Sequence, residues 1–371
     1  MPVDQNRLDA FLGRALTDMG GAMSATLILI GDQLGLYRAL ARKPMNASEL
    51  ASTTGTSERY VREWLGNQAA GGYVDYDADS DRYSLTPEQA LCMADPDGPV
   101  DVPGAYSIVE AAFHAMERTK QNFRSGEGME WGEHHACLFH GTERFFRAGY
   151  NAHLLHEWLP ALAGVVEKLE AGGKAADVGC GHGASTLLLA QAFPGSTFVG
   201  YDYHAPSIEV ARERAAAAGI ANARFEVAEA GDYPEGGFDL VAFFDCLHDM
   251  ADPVGAARHA CRALDPDGTC MLVEPFAGDT VASKIRSGAC ITAPPRRSAC
   301  RCRWRATDRR LAPRPARPGS ARSCAKRGSA ASGAPPRRPS TSCSKHVPDP
   351  GESRMRRYLI EREIPPAVTA E

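Results

Sequence analysis

Ala175-Ala-Asp-Val-Gly-Cys-Gly-His-Gly183 is the stretch that decides how this chain folds. An apolar strand ends in an acid, Asp177, and runs into glycines at 179, 181 and 183. A helical run, Ser185 to Phe193, follows. Glycines at alternate positions let a ligand lie against the backbone, since no Cβ intervenes. The helix beyond them starts with unpaired N–H groups. Asp202 closes the next apolar strand, Thr197 to Tyr201, about twenty residues on, where an acid can hold ribose hydroxyls. The pattern predicts a nucleoside-bearing cofactor.

Gly179, Gly181 and Ala184 also satisfy G-x-G-x-x-G/A, the nicotinamide-dinucleotide spacing, so the glycines alone leave that alternative open. Asp177 argues the other way. A carboxylate two residues before the first glycine would attract an amine and repel a pyrophosphate. The unit also stands mid-chain. A carboxylate, a glycine turn and a ribose acid suit S-adenosylmethionine, which carries an amino acid and a ribose and no phosphate.

Further segments follow in order. They are Tyr201-Asp202, Phe225-Glu-Val-Ala-Glu229-Ala230, Phe238 to Met250, Asp265-Pro-Asp-Gly268 and Met271-Leu-Val-Glu-Pro275. With the glycine turn, these resemble the motifs of class I S-adenosylmethionine-dependent methyltransferases over residues of about 170 to 276. The whole layout is similar to O-methyltransferases with an N-terminal winged-helix dimerisation domain. The resemblance implies that Asp177 meets the cofactor's amino end and that Gly179, Gly181 and Gly183 line its body. Asp202 and Tyr203 would hold the ribose and flank the adenine, Glu229 and Ala230 would meet the adenine edge, and Phe244 and Asp245 would line the sulfonium side. Leu247-His-Asp-Met250 is similar to the His-Asp-Trp of plant-type enzymes, which implies His248 as general base, with Met250 in place of the tryptophan. Asp249 would cap a helix or orient His248.

From residue 170 strand and helix patterns alternate, with strands near 175–178, 197–201, 223–227, 238–244 and 269–274. This predicts an α/β, Rossmann-like, doubly wound parallel sheet over 169–281. Upstream, helical periodicity covers 7–42. A capped helix opens at Asn46, a turn at Thr54-Gly-Thr-Ser-Glu58 leads to a second helix over 59–70, and two short strands flank a polar tip. Residues 1–100 therefore resemble a winged helix. Its second helix carries Glu58, Arg59, Arg62 and Glu63, a balanced set that argues against nucleic-acid binding, and the resemblance implies that this module packs two subunits together as a homodimer. Residues 101–168 read as a helical connector, with Trp131, His134, His135, Phe139, His140, Phe145 and Phe146 close together, and the resemblance implies that these helices form a substrate lid. Their spacing matches no metal-ligand pattern, so no metal is expected.

The chain of 371 residues is long enough for two domains, and its 44% apolar content supports a sizeable core. A net charge of −5 gives no reason to bind nucleic acid or an anionic membrane. The N-terminus lacks a signal-peptide pattern and no apolar run approaches the ~18 residues of a span. The eleven cysteines are scattered and read as reduced thiols, which with the rest predicts a cytoplasmic enzyme.

After about residue 281 the character changes. Residues 284–345 hold seventeen Lys or Arg and one acid, Asp308, with no apolar period. Residues 282–371 read as a basic, disordered tail, the product of a shifted frame. With permissible third bases, Ala282–Pro295 re-reads as VEDPVGRVHYGAST, Leu311–Ala325 as GAQAGEARLREVVR and Arg337–Asp349 as EAVDLVFEARP. Those are a linker, an amphipathic helix and a strand, in the order the resembling enzymes need. The final antiparallel strand would then be missing, its neighbour's edge bare, and the chain as written poorly soluble or inactive. The expected function is methylation of a small-molecule acceptor, with O-methylation foremost. A winged-helix cofactor-binding regulator, an inactive frameshifted product and a nicotinamide oxidoreductase are the alternatives.

Overall fold

The five apolar runs that follow residue 170 form the strands expected of them. The structure, a computed structural model, describes residues 2–96, 98–234, 236–275 and the backbone strand 356–362. The N-terminal part holds α1 (Gln5–Gln33), α2 (Leu36–Leu40), α3 (Ala47–Thr54), α4 (Glu58–Ala70), the antiparallel pair β1 (Asp75–Asp77) and β2 (Arg82–Ser84), and α5 (Pro87–Met93). Local chemistry sets these boundaries. Asn46 and Glu49 form a reciprocal capping box at the start of α3, and Gly55 closes it in the left-handed region. Thr86 and Gln89 make a second box on α5. Helix, turn, helix and β-wing close around one core that includes Tyr37, Leu50, Trp64 and Leu65.

The connector comprises α6 (Val102–His114), α7 (Met116–Ser125), α8 (Ala136–His153), a π turn over Leu154–Trp158 and α9 (Val165–Glu170). The last part alternates β3 (Lys174–Val178), α10 (Ala184–Ala192), β4 (Thr197–Asp202), α11 (Ala205–Ala217), β5 (Ala223–Val227), β6 (Phe238–Phe244), α12 (Pro253–Ala263) and β7 (Leu264–Pro275). Strand order is β5-β4-β3-β6-β7, all parallel, with β8 (Arg356–Arg362) beyond β7. Side chains alternate across the sheet. Ala175, Phe198, Leu240, Ala242 and Met271 face the π turn, α9 and α10, whereas Ala176, Val199, Val241, Phe243 and Cys270 face α12. The order reverses at β3, between β4 and β6, so the crevice at the carboxyl ends of these strands is the place for a ligand.

One expectation is corrected. The edge of β7 is not bare: Arg356–Arg362 lies along it in register from Thr269↔Arg356 to Pro275↔Arg362, and it runs parallel where an antiparallel partner was expected. Tyr358-Leu359-Ile360 is a β-prone run set among charges, which suits an edge strand. The disorder expected of 282–371, and the re-read segments, otherwise lie outside the described residues. Among the described residues no helix is long and apolar enough to cross a membrane.

Candidate functional site

Where the glycine turn leaves β3, a cavity of about 580 Å³ opens at the carboxyl ends of β3, β4 and β6. This size suits a ligand of drug-like bulk. Gly179, Gly181, Asp202, Tyr203, Glu229, Ala230, Phe244 and Asp245 all line it. Three other expected residues stand elsewhere: Asp177, Gly183 and His248 are not on its wall.

The glycines divide by role. All three have positive φ. A Cβ on Gly181 would meet no protein atom, so this position keeps the cradle open for a ligand. A Cβ on Gly179 would come within 2.7 Å of Cys246 Sγ, and one on Gly183 within 2.7 Å of Phe225. Those two glycines serve the protein's own packing. Cys246 further clamps the turn by donating its thiol to the Val178 carbonyl at 3.1 Å.

Asp177 lies under the turn, buried, with one oxygen accepting from Ser185 Oγ at 2.5 Å and Thr186 Oγ1 at 2.7 Å. Its other oxygen has no hydrogen-bond partner. Burial pushes its pKa up to about 6, against the two hydroxyls, with Asp202 adding to the rise. A raised carboxyl favours the fold below the usual carboxylate range and costs stability as pH climbs through about 6. A nearby cation would reverse this. Asp202 accepts from Gly181 N and from His204 N, both at 2.9 Å, and so ties the tip of β4 to the glycine turn. Burial raises its pKa as well, partly offset by these two amides.

The lining is electrically one-sided. Eight carboxylates reach it, namely Glu130, Glu143, Asp202, Glu229, Asp232, Asp245, Asp249 and Asp252, and among the described lining residues there is no Lys or Arg. Glu143 is paired with Arg214 behind the wall at 3.0 Å. His182 also lines the cavity, but burial and then Arg214 pull its pKa down to about 4, so it is neutral at pH 7. The opposite side is aromatic. Trp131 and Phe139 meet edge-on at 5.2 Å, and Tyr150 packs against Phe244 at 5.3 Å. Trp131, Phe139 and Tyr150 come from the connector, the first two from the crowded stretch 131–146, and Phe244 comes from the end of β6.

His248 sits in a short 3₁₀ turn, Leu247–Asp249, and is about half exposed. Its Nδ1 is hydrogen-bonded to Glu274 Oε2, and its Nε2 is 3.6 Å from Asp249 Oδ2. Glu274 also accepts from Leu247 N at 2.9 Å. Burial lowers the imidazole pKa, but Glu274, Asp249 and Asp245 outweigh it and push it up to about 9. The proton is therefore held at neutral pH, and its contribution to stability is full below about 6.5 and lost as pH rises through about 9. Asp249 lines the cavity and lies 3.6 Å from this histidine's Nε2, beyond hydrogen-bond distance. Glu274, absent from the expected set, is the carboxylate that fixes the ring. It stands in the quoted Met271–Pro275 segment, but only the sheet brings it to His248.

A cationic nucleoside fits this donor set. The unpartnered Asp177 oxygen below the turn, the open face of Gly181 and the carboxylates on the wall all favour it, and among the described lining residues a pyrophosphate would meet no Lys or Arg. Comparison with known proteins agrees. Residues 169–299 match the methyltransferase domain family, and residues 22–95 match the Rv2258c-like winged helix-turn-helix domain. The mitomycin biosynthesis 6-O-methyltransferase of Streptomyces lavendulae is 27% identical over 270 residues, 68% of this chain and 74% of that protein. Among solved structures, the mitomycin 7-O-methyltransferase superposes with a TM-score of 0.54 at 22% identity, over 76% of this chain and 86% of that one. Human N-acetylserotonin methyltransferase, solved in complex with S-adenosylmethionine, gives 0.51 at 16% identity, over 69% and 78%. With both domain matches in chain order and the fold shared, this chain carries a winged-helix domain followed by a methyltransferase domain of the S-adenosylmethionine-dependent class.

Proposed function

We propose that the cavity binds S-adenosylmethionine at the β3–β4 side and a small acceptor with a flat, apolar body beneath the connector aromatics, and that the product is an O-methyl ether. The one-signed lining carries this reading. Bound S-adenosylmethionine supplies an electrophilic methyl on a positively charged sulfur. In this reading Asp202 holds the ribose end beside the Gly181 backbone, and Asp177, buried below the turn, acts on the amino end through its charge rather than by contact. Glu229 and Ala230 frame the adenine. Phe244 and Asp245 stand at the sulfonium, where a ring face and a carboxylate both favour positive charge. Residues 101–168 supply the roof, and the expected boundaries at 100, 168 and 281 become those of the three working parts.

Titrating the full chain with S-adenosylmethionine, its demethylated product and NAD tests the proposal. The first two are expected to bind one per chain and NAD not at all. Heat with NAD alone would overturn it.

His248 stands behind its lining neighbour Asp249 rather than on the wall itself, and in this scheme an acceptor that reaches past Asp249 gives its hydroxyl proton to Nε2 of this ring, which Glu274 holds. With the imidazole pKa near 9, its base form grows with pH, so turnover is expected to climb through the range below about 9. The cofactor's positive charge moves this limb downward, never upward. A rate that stays flat between about pH 6 and 9 in the wild type, or full turnover in His248→Ala, would remove the base.

Oligomeric state belongs to the same reading. Leu8, Phe11, Leu12, Leu16, Met19 and Met23 follow helical spacing on α1 and are exposed, Phe11 at 65% and Met23 at 70%. A contiguous apolar stripe of this kind suits a second copy of the chain. Arg59 and Arg62 pair with Glu63 and Glu58 on their own helix, which supports dimerisation over nucleic-acid binding. Sedimentation is expected to give a dimer that Phe11→Glu with Met19→Glu converts to monomer. A wild-type monomer would contradict this.

A further inference from the structure

Three donor groups that the cavity leaves unused meet where α6 ends and α8 begins. His114 closes α6, His135 caps α8, and Cys137 stands in its first turn. One ligand atom from each lies within 4.8 Å of the others. His135 Nδ1 is 3.1 Å from Cys137 Sγ, and the two imidazoles stack at 3.9 Å with 13° between planes. Glu110, one turn before His114 on the same helix face, brings Oε1 to 3.8 Å from His114 Nε2.

We propose that His114, His135 and Cys137, with Glu110 as a fourth ligand, bind one zinc-class divalent ion. Zinc–nitrogen and zinc–sulfur bonds of about 2.0 and 2.3 Å put tetrahedral ligand atoms about 3.3 to 3.7 Å apart, which the 3.1 Å between His135 Nδ1 and Cys137 Sγ and the 3.8 Å between Glu110 Oε1 and His114 Nε2 bracket, and small side-chain turns would bring the remaining atoms in from within 4.8 Å. A set of two imidazoles, a thiolate and a carboxylate selects zinc or cobalt over magnesium or calcium. Helix capping accounts for only part of the arrangement. His135 Nδ1 accepts from Cys137 N at 3.3 Å, which needs neither the thiol nor a second histidine. Both rings are exposed, so one can turn out of the stack to face the ion, and the ion has an open path. The two halves, Glu-x3-His and His-x-Cys, lie on separate helices, which is why their spacing matches no linear metal pattern. The ion would pin the end of α6 to the start of α8. Trp131 and Phe139, which line the cavity, flank that joint, so the ion would fix the aromatic wall.

Cobalt(II) titration of the untagged full-length protein, followed by visible absorption, tests this. A tetrahedral spectrum with a thiolate charge-transfer band is expected, displaced by one equivalent of zinc. Cys137→Ser should abolish the band. His114→Gln, at an exposed position, should weaken binding by about tenfold or more without changing the far-ultraviolet spectrum, since loss of even an outer partner costs that much. A weak octahedral spectrum in the wild type would overturn the proposal. So would a charge-transfer band that survives in Cys137→Ser, because it would come from one of the other ten cysteines. Loss of binding in His248→Ala instead of His114→Gln would place the ion at Asp245, His248 and Glu274, the other converging group, and would also overturn it.

Discussion

Asp202→Ala is expected to lower affinity for S-adenosylmethionine by about a hundredfold or more. The carboxylate has two duties. It accepts from the backbone N–H groups of Gly181 and His204, and in the proposed complex it receives the ribose hydroxyls. Alanine leaves two backbone donors without their acceptor, at about 1–3 kcal/mol for each donor that stays dry, and removes the ribose contacts as well. A loss of about 3 kcal/mol is roughly a 150-fold change in affinity. Asp202→Asn should fall between, since it keeps one acceptor but turns an N–H₂ group toward a donor. Calorimetry gives the affinity, and a thermal melt without ligand separates the two duties. If Asp202→Ala melts lower yet binds like the wild type, the residue is only scaffolding, and the ribose role fails.

Arg144→Met is expected to destabilise the protein by about 3 kcal/mol. Arg144 on α8 reaches Asp32 of α1 at 2.6 Å and Asp101, the cap of α6, at 2.8 Å. Both carboxylates are almost wholly buried, at 7% and 4% side-chain exposure. Removing one partner from a buried ionic group costs about 3–5 kcal/mol because the remaining charge stays dry and unmatched. The low end applies here. Arg38 is still 3.5 Å from Asp32, and Asp101 keeps its bond from Gly104 N. Urea unfolding checks the value, and Asp101→Asn in the same chain should restore part of it. A midpoint unchanged by Arg144→Met would show that the contact adds nothing.

The legible parts of this molecule were those written in local spacing. The strands at 175–178, 197–201, 223–227 and 238–244 needed only apolar runs punctuated by glycine and acid, and the winged module only its caps and turns. The place of Gly181, Asp202 and Glu229 on the cavity wall was legible for the same reason, since they stand at or just past strand ends, where parallel sheets place their ligands. What stayed hidden depends on contacts between distant segments. Glu274 meets His248 only because β7 lies beside β6. Gly183 reads as a ligand glycine until Phe225 is seen to occupy the space where its Cβ would be. Asp177 reads as a wall residue until Ser185 and Thr186 are found holding it below the turn. The strand at 356–362 was missed because the long basic segment before it gave no reason to look for a partner to β7.

The acidic wall has a kinetic consequence. In the proposed reaction, methyl transfer turns the sulfonium into a neutral thioether and so removes the ligand's net positive charge. A chamber whose surface carries one sign therefore grips the spent nucleoside less firmly than the fresh one, and the field itself promotes exchange. Added salt should erode that preference, since screening weakens charge-based discrimination while leaving shape-based recognition of adenine untouched.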